Sequence, residues 1–130
     1  MLAGCGLWLV ALGLYFIFVR PPLLPEDTRF MGSSLAQVRV VLPGLEPWLQ
    51  RVFTVLGGFM GGTGVLTVFV ARAAVPSRLP GTSWALGLGG ALTVAIMSAT
   101  NFSLNSDFRW VLLVPALLWL ADLVLHIARR

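Results

Sequence analysis

Four long apolar stretches, separated by segments that hold most of the charged residues, make up the greater part of the chain. The uncharged stretches are residues 2–19, 52–71, 79–102 and 110–121. A helix that crosses a hydrocarbon core about 30 Å thick needs about 20 residues, and a helix satisfies all of its own backbone polar groups in lipid. The pattern therefore predicts four transmembrane helices. Their expected bounds are residues 2–19, 47–72, 82–101 and 109–128.

The connection between the first two predicted helices, residues 20–45, is much longer than the other two. It opens with "RPPLLPEDTRFMG", whose three prolines predict an irregular segment without a regular helix. In the following "SSLAQVRVVLPG", Ser34 and Gln37 have the spacing of a capping box, and apolar residues recur at helical intervals. We expect a short amphipathic helix here that lies on the membrane surface.

Composition agrees with a bilayer setting. Hydrophobic residues make up 58% of the chain and charged residues 11%, and the mean hydropathy is +0.90. Soluble domains average about 45–50% apolar and about 25% charged residues. Too few polar groups are present to cover a soluble fold of 130 residues, so we expect a single all-α domain, an integral membrane four-helix bundle.

All nine basic residues are arginines, and the net charge is +4. No basic run alternates with aromatic residues, which argues against a nucleic-acid partner and favours contact with lipid headgroups. Four crossings place both termini on one side together with the second loop, where the arginines are densest. The positive-inside rule then predicts cytoplasmic N- and C-termini for a multi-pass protein of the cell inner (plasma) membrane.

The densest glycine cluster is "LGGFMGGTG", residues 56–64. A phosphate-binding loop is excluded, because the chain has no lysine for a Walker motif and the dinucleotide fingerprint lacks its third glycine. At about 100° per residue, Gly57, Gly61 and Gly64 share one face of the second predicted helix. Small residues at this spacing let helix backbones approach closely, so we predict a helix-packing face.

The third predicted helix carries a similar stripe of small residues. Its members are Gly87, Gly90, Ala91 and Ser98. The simplest arrangement packs this stripe against the glycine face of the second helix within one bundle. A partner subunit or a flat cofactor on these faces is the alternative. We predict no resident cofactor, and contact with lipid, quinone or pigment stays open.

The fourth predicted helix contains ionisable residues: Asp122 and His126 are i, i+4 neighbours, and Arg129 follows on the same side. Ionisable groups within a membrane span are functional candidates by default. Asp122 lies about six residues from the helix end, or about 9 Å, and so reaches the interface. We expect an intramembrane ion pair with a structural role, in preference to a proton relay.

Two loops predicted on the other side of the membrane contain further polar groups, in "PEDTRF" and "NFSLNSDFR". We expect a polar loop cluster held by turn hydrogen bonds and salt bridges, with weak cation binding as the alternative. Its members are Glu26, Asp27, Arg29, Asn101, Asp107 and Arg109. The chain has one histidine and one cysteine, far apart, and no evident nucleophile and base pair, so we predict neither a metal site nor an enzyme.

The first helix ends in "GLYFIF" and is followed by prolines, and "RVFTVLGGFMGGTGVL" then leads from an arginine into a glycine-paired second helix. In this order of features the chain resembles the DoxX-like group of small four-helix bacterial membrane proteins. The resemblance implies an accessory role in membrane redox chemistry with quinone contact. The first loop is longer here and the first three helices have no deeply placed charge, so no functional residue is carried over.

The residues themselves favour a non-catalytic accessory or scaffold subunit whose partners are the lipid bilayer and other membrane protein subunits of a larger complex. The DoxX-like redox role is one alternative. A small proton-coupled carrier that uses Asp122 and His126 is the other, and it ranks last because four helices are few for a carrier unless it oligomerises.

Overall fold

The computed structural model describes residues 1–129 and shows an all-helical protein, with no strand in that range. The helices are α1 (Leu2–Phe18), α2 (Pro25–Met31), α3 (Leu35–Val41), α4 (Leu45–Ala73), α5 (Thr82–Ser103) and α6 (Arg109–Ala128). Helices α4, α5 and α6 are long and apolar enough to cross a membrane. Helix α1 is apolar but has only 17 residues, about 26 Å at 1.5 Å per residue.

Three of the predicted spans are therefore confirmed as helices of spanning length and hydropathy. Helix α6 has the predicted bounds, α4 begins two residues earlier and ends one residue later than predicted, and α5 ends two residues later. Helix ends shift by one or two residues with small differences in fraying, so these bounds agree.

The prediction of an irregular segment after the first helix is wrong, because α2 begins at the third proline. Pro25 is the first residue of α2, where a missing N–H costs nothing. The carboxylate of Asp27 accepts a hydrogen bond from the Leu24 N–H at 2.7 Å and so caps the helix. Acidic residues in the first turn also face the positive end of the helix dipole. Gly32 ends α2 in the left-handed conformation, with φ 65°.

The predicted capping box at the start of α3 is confirmed. The Ser34 hydroxyl accepts from the Gln37 N–H at 3.2 Å, and the Gln37 amide oxygen accepts from the Ser34 N–H at 3.0 Å. In the last turn of α3, Arg39 donates twice to the Glu46 carboxylate, from Nε at 2.8 Å and from Nη2 at 3.1 Å. This hydrogen bonding, with the charge of Glu46, raises the pKa of Arg39 and connects α3 to the start of α4.

The chain forms two compact units, one from residues 9–62 and the other from residues 1–8 together with the chain from residue 63 onward. In the first unit, α1 and α4 meet at glycines. A Cβ built on Gly13 would lie 2.6 Å from both the Gly57 oxygen and the Gly61 nitrogen. A Cβ on Gly57 would lie 2.6 Å from the Gly13 oxygen. Real Cβ atoms essentially never come within 3.0 Å of such atoms, so these backbones are in direct contact.

The second unit contains a similar contact between the same two helices. A Cβ on Gly6 would lie 2.7 Å from the Gly64 oxygen and 2.9 Å from the Val68 nitrogen. Gly6 and Gly13 are seven residues apart, nearly two helical turns, and thus share one face of α1. The structure therefore places α1 against the Gly57, Gly61 and Gly64 strip, where the simplest sequence-based arrangement had placed the third transmembrane helix.

Also in this unit, α5 packs against α6 through an indole ring. A Cβ on Gly90 would lie 2.5 Å from Cδ1 and Nε1 of Trp119, so only glycine fits beneath this ring. The Trp119 Nε1–H donates to the Leu86 oxygen at 2.8 Å. Trp119, Leu86 and Val94 are all buried, and the hydrogen bond satisfies the one polar group that the indole brings into this apolar core.

Helix α5 is not uniform along its length. It is α-helical over Thr82–Gly90, π-helical over Ala91–Ala95 and α-helical again over Ile96–Ser103. The Ile96 N–H donates to the carbonyl of Ala91, five residues back. Single π turns of this kind are rare and occur frequently at functional sites.

Helix α5 begins without a side-chain cap. Gly81 is the N-cap, in the left-handed conformation with φ 86°, and makes no side-chain cap hydrogen bond. The Thr82 hydroxyl donates instead to the Leu79 oxygen at 2.8 Å, within the preceding turn. The left-handed N-cap is accessible here because glycine has no Cβ.

The contact at Gly13 leads to a stability prediction. Gly13→Ala should lower the free energy of unfolding by about 1–3 kcal/mol, because the new Cβ meets backbone atoms that cannot rotate away. Gly62→Ala is the matched control, since a Cβ there has no atom within 4 Å, and it should change stability by less than about 0.5 kcal/mol. Reversible unfolding in mixed micelles measures both. Equal effects of the two substitutions would contradict the proposed contact.

Candidate functional site

A cavity of about 510 Å³ lies between the last turns of α6 and the segment that follows α4. Its ionisable side chains belong to Arg78, Asp122, His126 and Arg129, and Val75, Pro76 and Leu125 supply its apolar wall. We call this feature the cationic cavity, because it has two guanidinium groups and one carboxylate among its side chains. It brings together the three residues that the sequence singled out in the fourth predicted helix, now α6.

Within the cationic cavity the expected ion pair takes a different form. The Asp122 side chain is 19% exposed, and its Oδ1 lies 3.7 Å from the main-chain nitrogen of Met1. In residues 1–129, neither His126 nor Arg129 forms an ion pair with Asp122. The His126 Nε2 is buried without a hydrogen-bond partner in that same range. The helical spacing places these side chains around one cavity, and no ion pair within residues 1–129 joins them to one another.

Arg78 joins the cavity from a tight turn. The Arg78 N–H donates to the Val75 oxygen and the Leu79 N–H donates to the Ala74 oxygen, each at 3.3 Å. Arg78 itself has φ 48°, in the left-handed region that few residues other than glycine occupy. No periodic pattern in the sequence points to Arg78, because it reaches the cavity from a turn and not from the face of a helix.

A second feature is a groove of about 290 Å³ between α5 and α6. We call it the small-residue groove, because its lining includes Gly87, Gly90, Ala91, Ala95 and Ala116, together with Trp119 and several leucines. A Cβ on Gly87 would have no atom within 4 Å, whereas Gly90 already lies under the Trp119 ring.

The stripe predicted on the third transmembrane helix is thus divided between two roles. Gly87 and Ala91 line the small-residue groove, and Gly90 serves the contact with Trp119. Ser98 is buried and does not line the groove. The π-helical segment Ala91–Ala95 lies between Gly90 and Ser98 and shifts the helical register, so a helical wheel with a uniform 100° per residue misplaces the residues beyond it.

Arg20 is a buried charged residue within residues 9–62. Its side chain is 9% exposed, and the guanidinium carbon lies 3.7 Å from the centre of the Phe53 ring and 5.3 Å from that of Phe16. Arg20 also donates to the Asp27 carboxylate at 3.3 Å and to the Pro21 oxygen at 2.9 Å. These contacts satisfy a buried cation at the end of α1.

Sequence reasoning recognised Asp27 as a polar loop residue but missed Arg20 as its partner. The available signal was a single arginine at the end of an apolar helix with an acidic residue seven positions later. Within the same loop, Glu26 and Arg29 also have interaction partners.

The other polar loop is built from local contacts. The Asn101 side chain donates to the Met97 oxygen at 2.8 Å, one helical turn back. Arg109 donates to the Asn105 side chain at 2.7 Å and to the Ser106 oxygen at 3.1 Å. Asp107 has interaction partners as well. A joint cluster of the two loops stays a prediction.

Residues 1–129 contain no group of three or more His, Cys, Asp or Glu side chains placed to hold a metal ion. Comparison with known proteins gave no match to a protein-family model, to a curated protein or to a solved structure. Function is therefore argued from the chain's own geometry: an all-helical fold with three membrane-compatible helices, a cationic cavity and a small-residue groove.

The Arg20 contacts predict a specific sensitivity. Arg20→Lys keeps the charge but removes the planar fork and its stacking on Phe53, and should cost about 1–2 kcal/mol of unfolding free energy. Arg51→Lys, at an exposed arginine in α4, is the matched control and should change stability by less than about 0.5 kcal/mol. Unfolding titrations in mixed micelles compare the two. The assignment fails if both variants lose the same stability.

Proposed function

We propose that this chain is a small, non-catalytic integral membrane protein that serves as an accessory or scaffold subunit of a larger membrane complex. Its four transmembrane helices are α4, α5 and α6, together with α1, whose 17 residues fall at the short end of the range of about 17–25 that spans a bilayer. Its proposed setting is the bacterial inner (plasma) membrane, and the arginine distribution favours cytoplasmic N- and C-termini.

The small-residue groove carries this proposal. Lipid tails are as apolar as leucine, so helices in a bilayer associate through close van der Waals contact and shape. Gly87, Ala91 and Ala95 present nothing larger than a methyl group to the groove. A helix of another subunit therefore approaches the α5 backbone more closely here than at leucine-lined faces. The dispersion attraction of such a close approach exceeds what flexible lipid tails achieve in the same groove.

Helix α3 supplies the second part of the proposal, a contact with the membrane surface. Val40, Val41 and Leu42 are exposed at the end of this short helix, at 83%, 73% and 55%. Burial of such side chains at the headgroup and acyl boundary stabilises a helix that lies in the interface plane. Trp48, Trp84 and Trp110 are also exposed near the starts of α4, α5 and α6, where indole rings favour the headgroup level.

A site-specific photocrosslinking experiment tests what occupies the groove. A photoreactive residue at Ala91, in the groove, should yield an adduct with a membrane protein of defined mass in intact membranes. The same residue at Leu88, which is exposed on α5 but does not line the groove, should yield lipid adducts only. Lipid adducts from both positions would refute the scaffold proposal. An adduct with quinone or pigment from Ala91 would favour the DoxX-like redox alternative instead.

A matched pair of substitutions tests the same face by assembly. Ala91→Leu fills the small-residue groove and should reduce the fraction of chain in the native complex by about tenfold, a cost of about 1.4 kcal/mol. Ala99→Leu makes the same chemical change at an exposed position of α5 outside the groove and should leave the complex intact. Native electrophoresis after mild detergent extraction measures both. A lone monomer in the unmodified protein would also contradict the proposal.

A further inference from the structure

The cationic cavity carries an excess of positive charge that the described residues do not neutralise. Arg78 and Arg129 line it, and Asp122 is the one acidic residue in its lining. Neither arginine has an ion-pair partner in residues 1–129. Both are exposed, so their guanidinium groups are accessible to a ligand that enters from outside. An anion is the ligand that this charge arrangement attracts.

The position of the cavity indicates which kind of anion it binds. Helix α4 ends at Ala73 and α6 at Ala128, and the cavity is lined by residues just beyond the first end and in the last turns before the second. Ends of apolar helices lie at the level of the lipid headgroups. Phosphate groups are the anions concentrated at that level, and basic residues next to membrane helices bind them.

The shape and lining of the cavity fit a phosphate with an apolar substituent. Guanidinium groups match phosphate oxygens with paired hydrogen bonds, which an ammonium group does not do. Val75 and Leu125 give the same cavity an apolar wall. The volume of about 510 Å³ exceeds what a bare phosphate fills and lies within the range typical of small-molecule sites.

The backbone at Arg78 supports a binding role for this turn. Its φ of 48° is unfavourable for a residue with a Cβ, and glycine would adopt it without cost. Strained residues of this kind cluster at ligand-binding sites, where the surrounding structure holds them in place. Here the turn hydrogen bonds from Arg78 to Val75 and from Leu79 to Ala74 hold the arginine at the cavity.

We propose that Arg78 and Arg129 form a binding site for the phosphate group of an anionic phospholipid, and that the apolar wall of the cavity contacts the glycerol region of the same lipid. The site needs no partner subunit, so this proposal does not depend on the proposed scaffold role. A free inorganic phosphate shares the recognised chemistry, and the experiment separates the two sources.

The test uses the full chain in a neutral detergent and native mass spectrometry. Phosphatidylglycerol, phosphatidylcholine and inorganic phosphate are titrated separately, and bound molecules are counted at each concentration. Phosphatidylglycerol should bind more tightly than phosphatidylcholine. Arg78→Gln and Arg129→Gln should each weaken that binding about fivefold, the effect of one basic residue next to an anionic headgroup. Arg78→Lys should restore only part of the loss, because it returns the charge without the planar fork.

Arg51→Gln is the control, because it removes one exposed arginine that does not line the cavity, and it should leave binding unchanged. Circular dichroism verifies equal helix content in every variant. Displacement of phosphatidylglycerol by millimolar inorganic phosphate, with the same dependence on the two arginines, would identify free phosphate as the ligand. The proposal would be overturned if the two lipids bind with equal affinity and inorganic phosphate does not bind. It would also be overturned if Arg51→Gln weakens lipid binding as much as the cavity variants do.

Discussion

Direct contact between glycine backbones of α1 and α4 is the interaction on which the described packing depends. In a bilayer, moving an apolar side chain from lipid to protein gains little, so helices associate through dense contact of their surfaces. Gly13 against Gly57 and Gly61, and Gly6 against Gly64, provide that density because no Cβ separates the two main chains. A methyl group at Gly6, Gly13 or Gly57 would force the backbones apart, which makes these contacts intolerant of the smallest side chain.

Apolar stretches and residue spacing were sufficient to predict the helices but insufficient to pair them. Length and hydropathy gave the bounds of α4, α5 and α6 closely, because a span requires about 20 apolar residues whatever its neighbours are. Partner choice depends on which small residues of two distant segments face each other. On α1 the only glycines in the contact with α4 are Gly6 and Gly13, which stand out in the sequence much less than the glycine cluster at residues 56–64. For this reason α1 was not predicted as the helix that packs against α4. Helix α2 was not predicted because its proline was read as a helix breaker. Proline disrupts a helix when it lies in the interior, but it is favourable at the first helical position, where Pro25 lies.

The cationic cavity and the small-residue groove could each be predicted only in part from helical spacing. Helical spacing placed Asp122, His126 and Arg129 on one side of α6, and the structure places all three around the cationic cavity. Arg78 reaches the same cavity through a turn with a left-handed residue, which a periodic pattern does not encode. In the small-residue groove, Gly87 and Ala91 follow the predicted stripe, and Ser98 departs from it beyond the π turn. Periodicity thus holds within a regular helix and fails where a turn or a π segment intervenes.

The unequal lengths of α1 and α4 have a consequence for the surrounding lipid. Helix α1 has 17 residues and α4 has 29, about 26 Å and about 44 Å at 1.5 Å per residue. Where both helices cross one bilayer, no single hydrocarbon thickness matches both lengths. Helix α4 then tilts or extends into the headgroup region, and the bilayer becomes thinner beside α1. Hydrophobic mismatch of this kind costs fractions of a kcal/mol per Å and sorts proteins between membranes. As a membrane span, a helix of 17 residues would therefore favour thin regions of bilayer, or neighbouring proteins that shield it from lipid.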